Sequence, residues 1–79
     1  MPRISRFLGI TIVMHYDDHP PPHVHVRAAG CEVKMTIREG RVMGAWGAST
    51  AVKQRVRDLV RENREDLLEA WERIHGEGR

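Results

Sequence analysis

The stretch His15-Tyr16-Asp17-Asp18-His19-Pro20-Pro21-Pro22-His23-Val24-His25 holds four of the chain's five histidines, two aspartates and three of its four prolines. Imidazole and carboxylate bind borderline divalent metals and move protons near neutral pH. Three successive prolines keep the connecting backbone out of helix. Metal chelation, acid/base catalysis and anion binding by protonated imidazole all draw on these groups, so the residues locate a site and leave its reaction open.

Spacing narrows the candidates. His23 and His25 are two apart in a stretch that reads as strand, so their rings leave one face with Cα atoms about 6.6 Å apart. Two imidazoles at that separation can converge on one ion at about 2.0–2.1 Å each. Asp18 and His19 are candidate partners, either as further metal ligands or, with His23 and His25, as catalytic groups. His15 is a third-ligand candidate if the neighbouring strand ends beside them. Four residues of polyproline II rise about 12 Å, so His19 reaches His23 only if a cis X-Pro bond or a turn shortens the path. H-x-x-x-H-x-H matches neither a CxxC zinc ribbon nor HExxH.

The elements that must carry these residues follow from periodicity. Alternation from Phe7 to Tyr16 puts Leu8, Ile10, Ile12, Met14 and Tyr16 on a core face and Thr11, Val13 and His15 on the other. His23 to Ala28 resumes it with Val24, Val26 and Ala28 inward. In Cys31 to Arg38 the apolar residues move to odd positions, and a two-residue turn at Ala29-Gly30 reconciles the parities by pairing Arg27 with Glu32 and Val26 with Val33. A second turn at Glu39-Gly40 pairs Ile37 with Val42 and points Val42, Gly44 and Trp46 inward. After Gly47 the period becomes helical. Ser49 is an N-cap, Val52, Val56, Leu59 and Val60 form one stripe, Leu67, Leu68, Trp71 and Ile74 form a second, and Asn63 interrupts them. The expectation is one α+β domain over residues 1–79. It comprises an antiparallel meander of three to four strands, about 7–46, with one apolar face covered by one or two helices, about 49–75. Thr11, His15, His23, His25, Arg27, Glu32, Lys34, Thr36 and Arg38 then share the opposite face.

With 79 residues, 41% hydrophobic and 30% charged, the composition is that of a small globular domain rather than a disordered or membrane chain. A core of that size leaves room for help from a metal, a partner or a second copy. A formal charge of +2 does not by itself indicate nucleic acid. Lys53, Arg57, Arg61 and Arg64 form a basic helical stripe that is a nucleic-acid candidate, although Asp58, Glu62 and Glu65 lie beside it. The single Cys31 allows no intrachain disulfide, and no apolar run is long enough for a bilayer or a secretory signal, so a cytoplasmic location without membrane contact is expected.

Asp18-His19-Pro20-Pro21-Pro22-His23-Val24-His25-Val26, with PRISRFLGI before it and LLEAWE near the end, resembles the bacterial domain of unknown function family 4160. The shared DH-x-PPH-x-H motif falls on Asp18, His19, Pro21, Pro22, His23 and His25. Val24 stands where an aromatic is common, and His15 is outside the motif. The resemblance implies a small partner protein encoded nearby, in a toxin–antitoxin-like pair, and assigns no reaction. Three functions stay open: a member of such a two-protein module with a His/Asp cluster for Zn²⁺ or another divalent ion, a metal- or histidine-dependent hydrolase or nuclease acting on a phosphodiester, and a structural adaptor without a catalytic site.

Overall fold

The computed structural model describes residues 3–7 and 10–76, with side chains from 10 to 75. Strands β1 (Arg3–Phe7), β2 (Ile10–Val13), β3 (His23–Ala28), β4 (Cys31–Thr36) and β5 (Val42–Trp46) form an antiparallel meander in the order β1-β2-β3-β4-β5. Helices α1 (Thr50–Glu62) and α2 (Arg64–Trp71) follow, and a π-helical turn, Glu72–Gly76, continues from α2. The chain is therefore the small α+β fold its periodicity predicts, with one strand more than the three to four expected. Arg3, Ser5 and Arg6 break the apolar alternation of the β1 sequence, which hides it from a period-two reading. The strand expected over Phe7 to Tyr16 is divided, because Phe7 turns back to pair with Ile10 and β2 stops at Val13. Leu8, expected on the core face, lies outside the described residues.

The β3–β4 hairpin has the predicted register: Val26 faces Val33, Arg27 faces Glu32 and Ala28 faces Cys31. Gly30 supplies the left-handed turn residue at φ 72°. The next hairpin departs from expectation. Val42 faces Met35 instead of Ile37, and between Lys34 and Met35 the pairing slips by one residue, leaving Met43 as a bulge on β5. Past the bulge the parity inverts. Ala45 packs on the core, while Trp46, expected inward, is 57% exposed on the far side. Its indole lies across Gly44, where a Cβ would stand 2.8 Å from Trp46 Cη2.

The core joins Ile12, Met14, Val24, Val26, Val33 and Met35 of the sheet region to Val56, Val60, Leu67 and Trp71 of the helices. Ser49 caps α1 by accepting the Val52 N–H at 3.2 Å. Asn63 marks a break between two helices. Its side chain bonds back to the Leu59 carbonyl at 2.8 Å, and it makes no side-chain cap for α2. Among the described residues no helix is long and apolar enough to cross a membrane.

Candidate metal centre

β3 alternates, so with Val24 and Val26 committed to the core, His23 and His25 leave the opposite face. Both are nonetheless buried, at 2% and 9% exposure. The loop after β2 accounts for this, since it carries Asp18 back over them. There the Asp18 N–H reaches the His15 carbonyl at 3.2 Å, and the His15 N–H donates to Asp18 Oδ2 at 3.0 Å. This turn also ends the strand parity that places Tyr16 inward; Tyr16 is 66% exposed.

The loop delivers a carboxylate between two imidazoles. Asp18 Oδ1 is 3.5 Å from His23 Nε2, and Asp18 Oδ2 is 3.3 Å from His25 Nε2. One donor atom from each of Asp18, His23 and His25 lies within 4.8 Å of the others. Two donors about 2.0–2.1 Å from an ion and at the tetrahedral angle stand roughly 3.3–3.4 Å apart, close to the 3.5 and 3.4 Å that separate the single oxygen Asp18 Oδ1 from His23 Nε2 and His25 Nε2.

Hydrogen bonding fixes the rings. His23 Nδ1 donates to the Pro21 carbonyl at 2.8 Å, because a carbonyl can only accept. His23 Nε2 then keeps its lone pair and is buried without a hydrogen-bond partner. A bare nitrogen lone pair beside a carboxylate oxygen is unfavourable until a proton or a metal ion comes between them. His25 Nε2 donates to Asp18 Oδ1 at 3.4 Å, while its Nδ1 lies 3.4 Å from Glu32 Oε2, whose other oxygen accepts from Arg27 Nε at 3.0 Å.

Burial alone would raise the Asp18 carboxyl. The His15 N–H outweighs it together with the charges of His23 and His25 and the His25 hydrogen bond, and holds the group below the usual carboxylate range. A depressed carboxyl stabilises the fold fully above its unfolded pKa of 3.8, and that contribution is lost as pH falls through the lower folded value. Asp18→Asn is therefore expected to unfold at a urea midpoint that changes less than wild type between pH 5 and pH 3. Parallel pH profiles for the two proteins would refute this.

His15 and His19 stand apart from the three donors. The His15 ring lies edge-on to His25, with centroids 4.4 Å apart, and the residue fastens the loop through its backbone. The Pro20–Pro21 peptide is cis, and His19 is exposed on the wall of a cavity of about 370 Å³. Tyr16, Asp17, Asp18, Trp71, Glu72 and His75 complete that wall, so Asp18 belongs to both the cluster and the cavity. The His75 ring stacks on Trp71 at 3.8 Å, with Nδ1 facing the Trp71 carbonyl at 3.1 Å and Nε2 the His15 carbonyl at 2.7 Å. Trp71 also reaches His23, centroid to centroid 5.4 Å. No local signal predicts these contacts. Glu32 was within reach of the sequence, since its register already puts it on the histidine face.

The basic stripe is elsewhere. Arg57 bonds the Gly40 carbonyl at 3.0 Å and Gln54 at 2.8 Å. Arg61 and Arg64 border a shallow depression shared with Glu62, Glu65 and Asp66. None of these, nor Lys53, lines the cavity at Asp18.

No curated protein and no solved structure matches the chain. The family model described as a domain of unknown function, DUF4160, matches residues 9–72, a span that includes the whole site. The chain belongs to the DUF4160 family.

Proposed function

We propose that Asp18, His23 and His25 bind Zn²⁺ or a similar divalent ion, and that the chain acts as the metal-binding member of a two-protein regulatory module. The observation that carries the metal reading is His23 Nε2, a buried nitrogen left without a partner and aimed at a carboxylate, on a ring whose other nitrogen is already committed. Two imidazoles and one carboxylate form a donor set suited to zinc and other first-row divalent metals. Three protein donors leave a position for water or a ligand, and a bound ion would supply Lewis acidity there. Asp18 also lines the adjoining cavity.

The paired-gene part of the reading rests on the family resemblance. Co-expression with a small protein encoded beside it, followed by co-purification, tests that part directly. Hydrolysis of a phosphodiester has weaker support, because the cavity walls carry Asp17, Asp18 and Glu72 and neither lysine nor arginine. An adaptor with incidental histidines would leave the buried Nε2 unexplained.

Titration calorimetry with Zn²⁺ on the purified, chelator-treated protein is expected to give one ion per chain. Affinity should fall as pH drops, because protons compete with the ion for the imidazole nitrogens, and protons should be released on binding. A stoichiometry well below one at neutral pH would end the metal reading.

A further inference from the structure

We infer that His75 is a positioning residue for this centre: its ring Nε2 holds the His15 carbonyl and so fixes the turn that brings Asp18 to the two imidazoles. The inference rests on the metal reading above and extends the centre to a residue beyond the 9–72 stretch that the family model matches.

The turn from His15 to Asp18 must hold a carboxylate against two histidines of a separate strand. Its own bonds are the Asp18 N–H to the His15 carbonyl at 3.2 Å and the His15 N–H to Asp18 Oδ2 at 3.0 Å. Both join His15 to Asp18, so they shape the turn without tying it to the helical layer. His75 supplies that tie. Its Nε2 lies 2.7 Å from the His15 carbonyl, and a carbonyl can only accept, so the ring donates. One oxygen with two lone pairs thus takes the Asp18 N–H and the His75 ring together. The anchor is itself confined: His75 is 5% exposed, and its ring stacks on Trp71 with centroids 3.8 Å apart. Its Nδ1 faces the Trp71 carbonyl at 3.1 Å, one helical turn earlier. Trp71 belongs to the core and reaches His23, centroid to centroid 5.4 Å. His75 therefore backs two of the donors, Asp18 through the His15 carbonyl and His23 through the Trp71 indole. Among the described residues the donor cluster comprises Asp18, His23 and His25, so His75 acts on the centre through the backbone it grips. Partners that orient metal ligands in this way typically cost about 10–100-fold in metal affinity when they are removed.

Three substitutions in the full chain separate the donor from the stack. His75→Gln puts an amide N–H near the place of Nε2, His75→Asn puts one near the place of Nδ1, and His75→Phe keeps only an aromatic ring against Trp71. Zn²⁺ affinity by calorimetry is expected to fall about 10–100-fold in His75→Phe and His75→Asn, and least in His75→Gln. In the metal-free chain, amide hydrogen exchange at His15 and Asp18 should quicken in His75→Phe and His75→Asn by more than at the β3–β4 amides, and His75→Gln should restore the slow rates. A role in stability alone would speed the β3–β4 amides as much and leave Zn²⁺ affinity unchanged while the chain stays folded. Wild-type affinity in a folded His75→Phe, or equal losses in His75→Gln and His75→Asn, would overturn the inference. If His75→Phe fails to fold, the comparison of His75→Gln with His75→Asn decides it. If wild type itself takes up no Zn²⁺, the metal reading falls, and the exchange rates at His15 and Asp18 alone judge His75.

Discussion

His23→Leu is expected to keep its fold and, on the metal reading, to lose affinity for Zn²⁺. In the metal-free chain the substitution removes a buried nitrogen without a partner, which costs about 1–3 kcal/mol to keep there, and gives up the bond to the Pro21 carbonyl, worth about 0.5–1.5 kcal/mol. The two terms nearly offset, and leucine fills most of the vacated volume, so the metal-free stability should stay within about 1 kcal/mol of wild type. Binding has no such compensation. Removing a ligand should cost more than the roughly 10–100-fold seen when only the group behind a ligand is removed, hence at least about 100-fold in Zn²⁺ affinity. The difference appears in melting curves: at a free ion concentration about 100 times Kd, wild type gains about 2.7 kcal/mol and His23→Leu gains almost nothing. Equal stabilisation of both proteins by Zn²⁺ would remove His23 from the site.

Trp71→Ala is the most damaging single change expected outside the cluster. Its indole is 6% exposed, belongs to the main core and touches the rings of both His23 and His75. Truncating such a side chain costs about 3–5 kcal/mol, a large share of the roughly 5–15 kcal/mol that holds a domain folded. The urea midpoint should fall accordingly, and Zn²⁺ should recover part of the loss. Trp71→Phe, which keeps an aromatic against His75, should retain more than half of the stability. An unchanged midpoint in Trp71→Ala would place the indole outside the core.

Periodicity was a good guide where the backbone stayed regular. The switch from even to odd apolar positions across Ala29-Gly30 dictated the β3–β4 register, and the i, i+2 spacing of His23 and His25 put both donors on one face. It failed where one residue changed the phase. Met43 bulges from β5 and turns Trp46 away from the core, and the turn closed by Asp18 releases Tyr16 from its strand. Asp18 was legible as a donor by its place in the motif, but its approach to the imidazoles depends on a loop held by backbone bonds, which any sequence can make. His75 could not be anticipated at all, because its partner carbonyl belongs to His15, 60 residues earlier.

That long bond also bears on the order in which the centre assembles. His23, His25, Glu32 and Arg27 all belong to the β3–β4 hairpin, whose pairing is local and closes within microseconds. Asp18 is seven residues from His25, whereas the His75–His15 tether spans 60. Closing a loop that much longer costs about 2 kcal/mol more in chain entropy, so the tether must wait until the helices have docked. Two of the three proposed metal donors, His23 and His25, therefore share a hairpin whose pairing is local. An ion captured at that stage would be carried into the fold, and the C-terminal turn would close over a site loaded during folding.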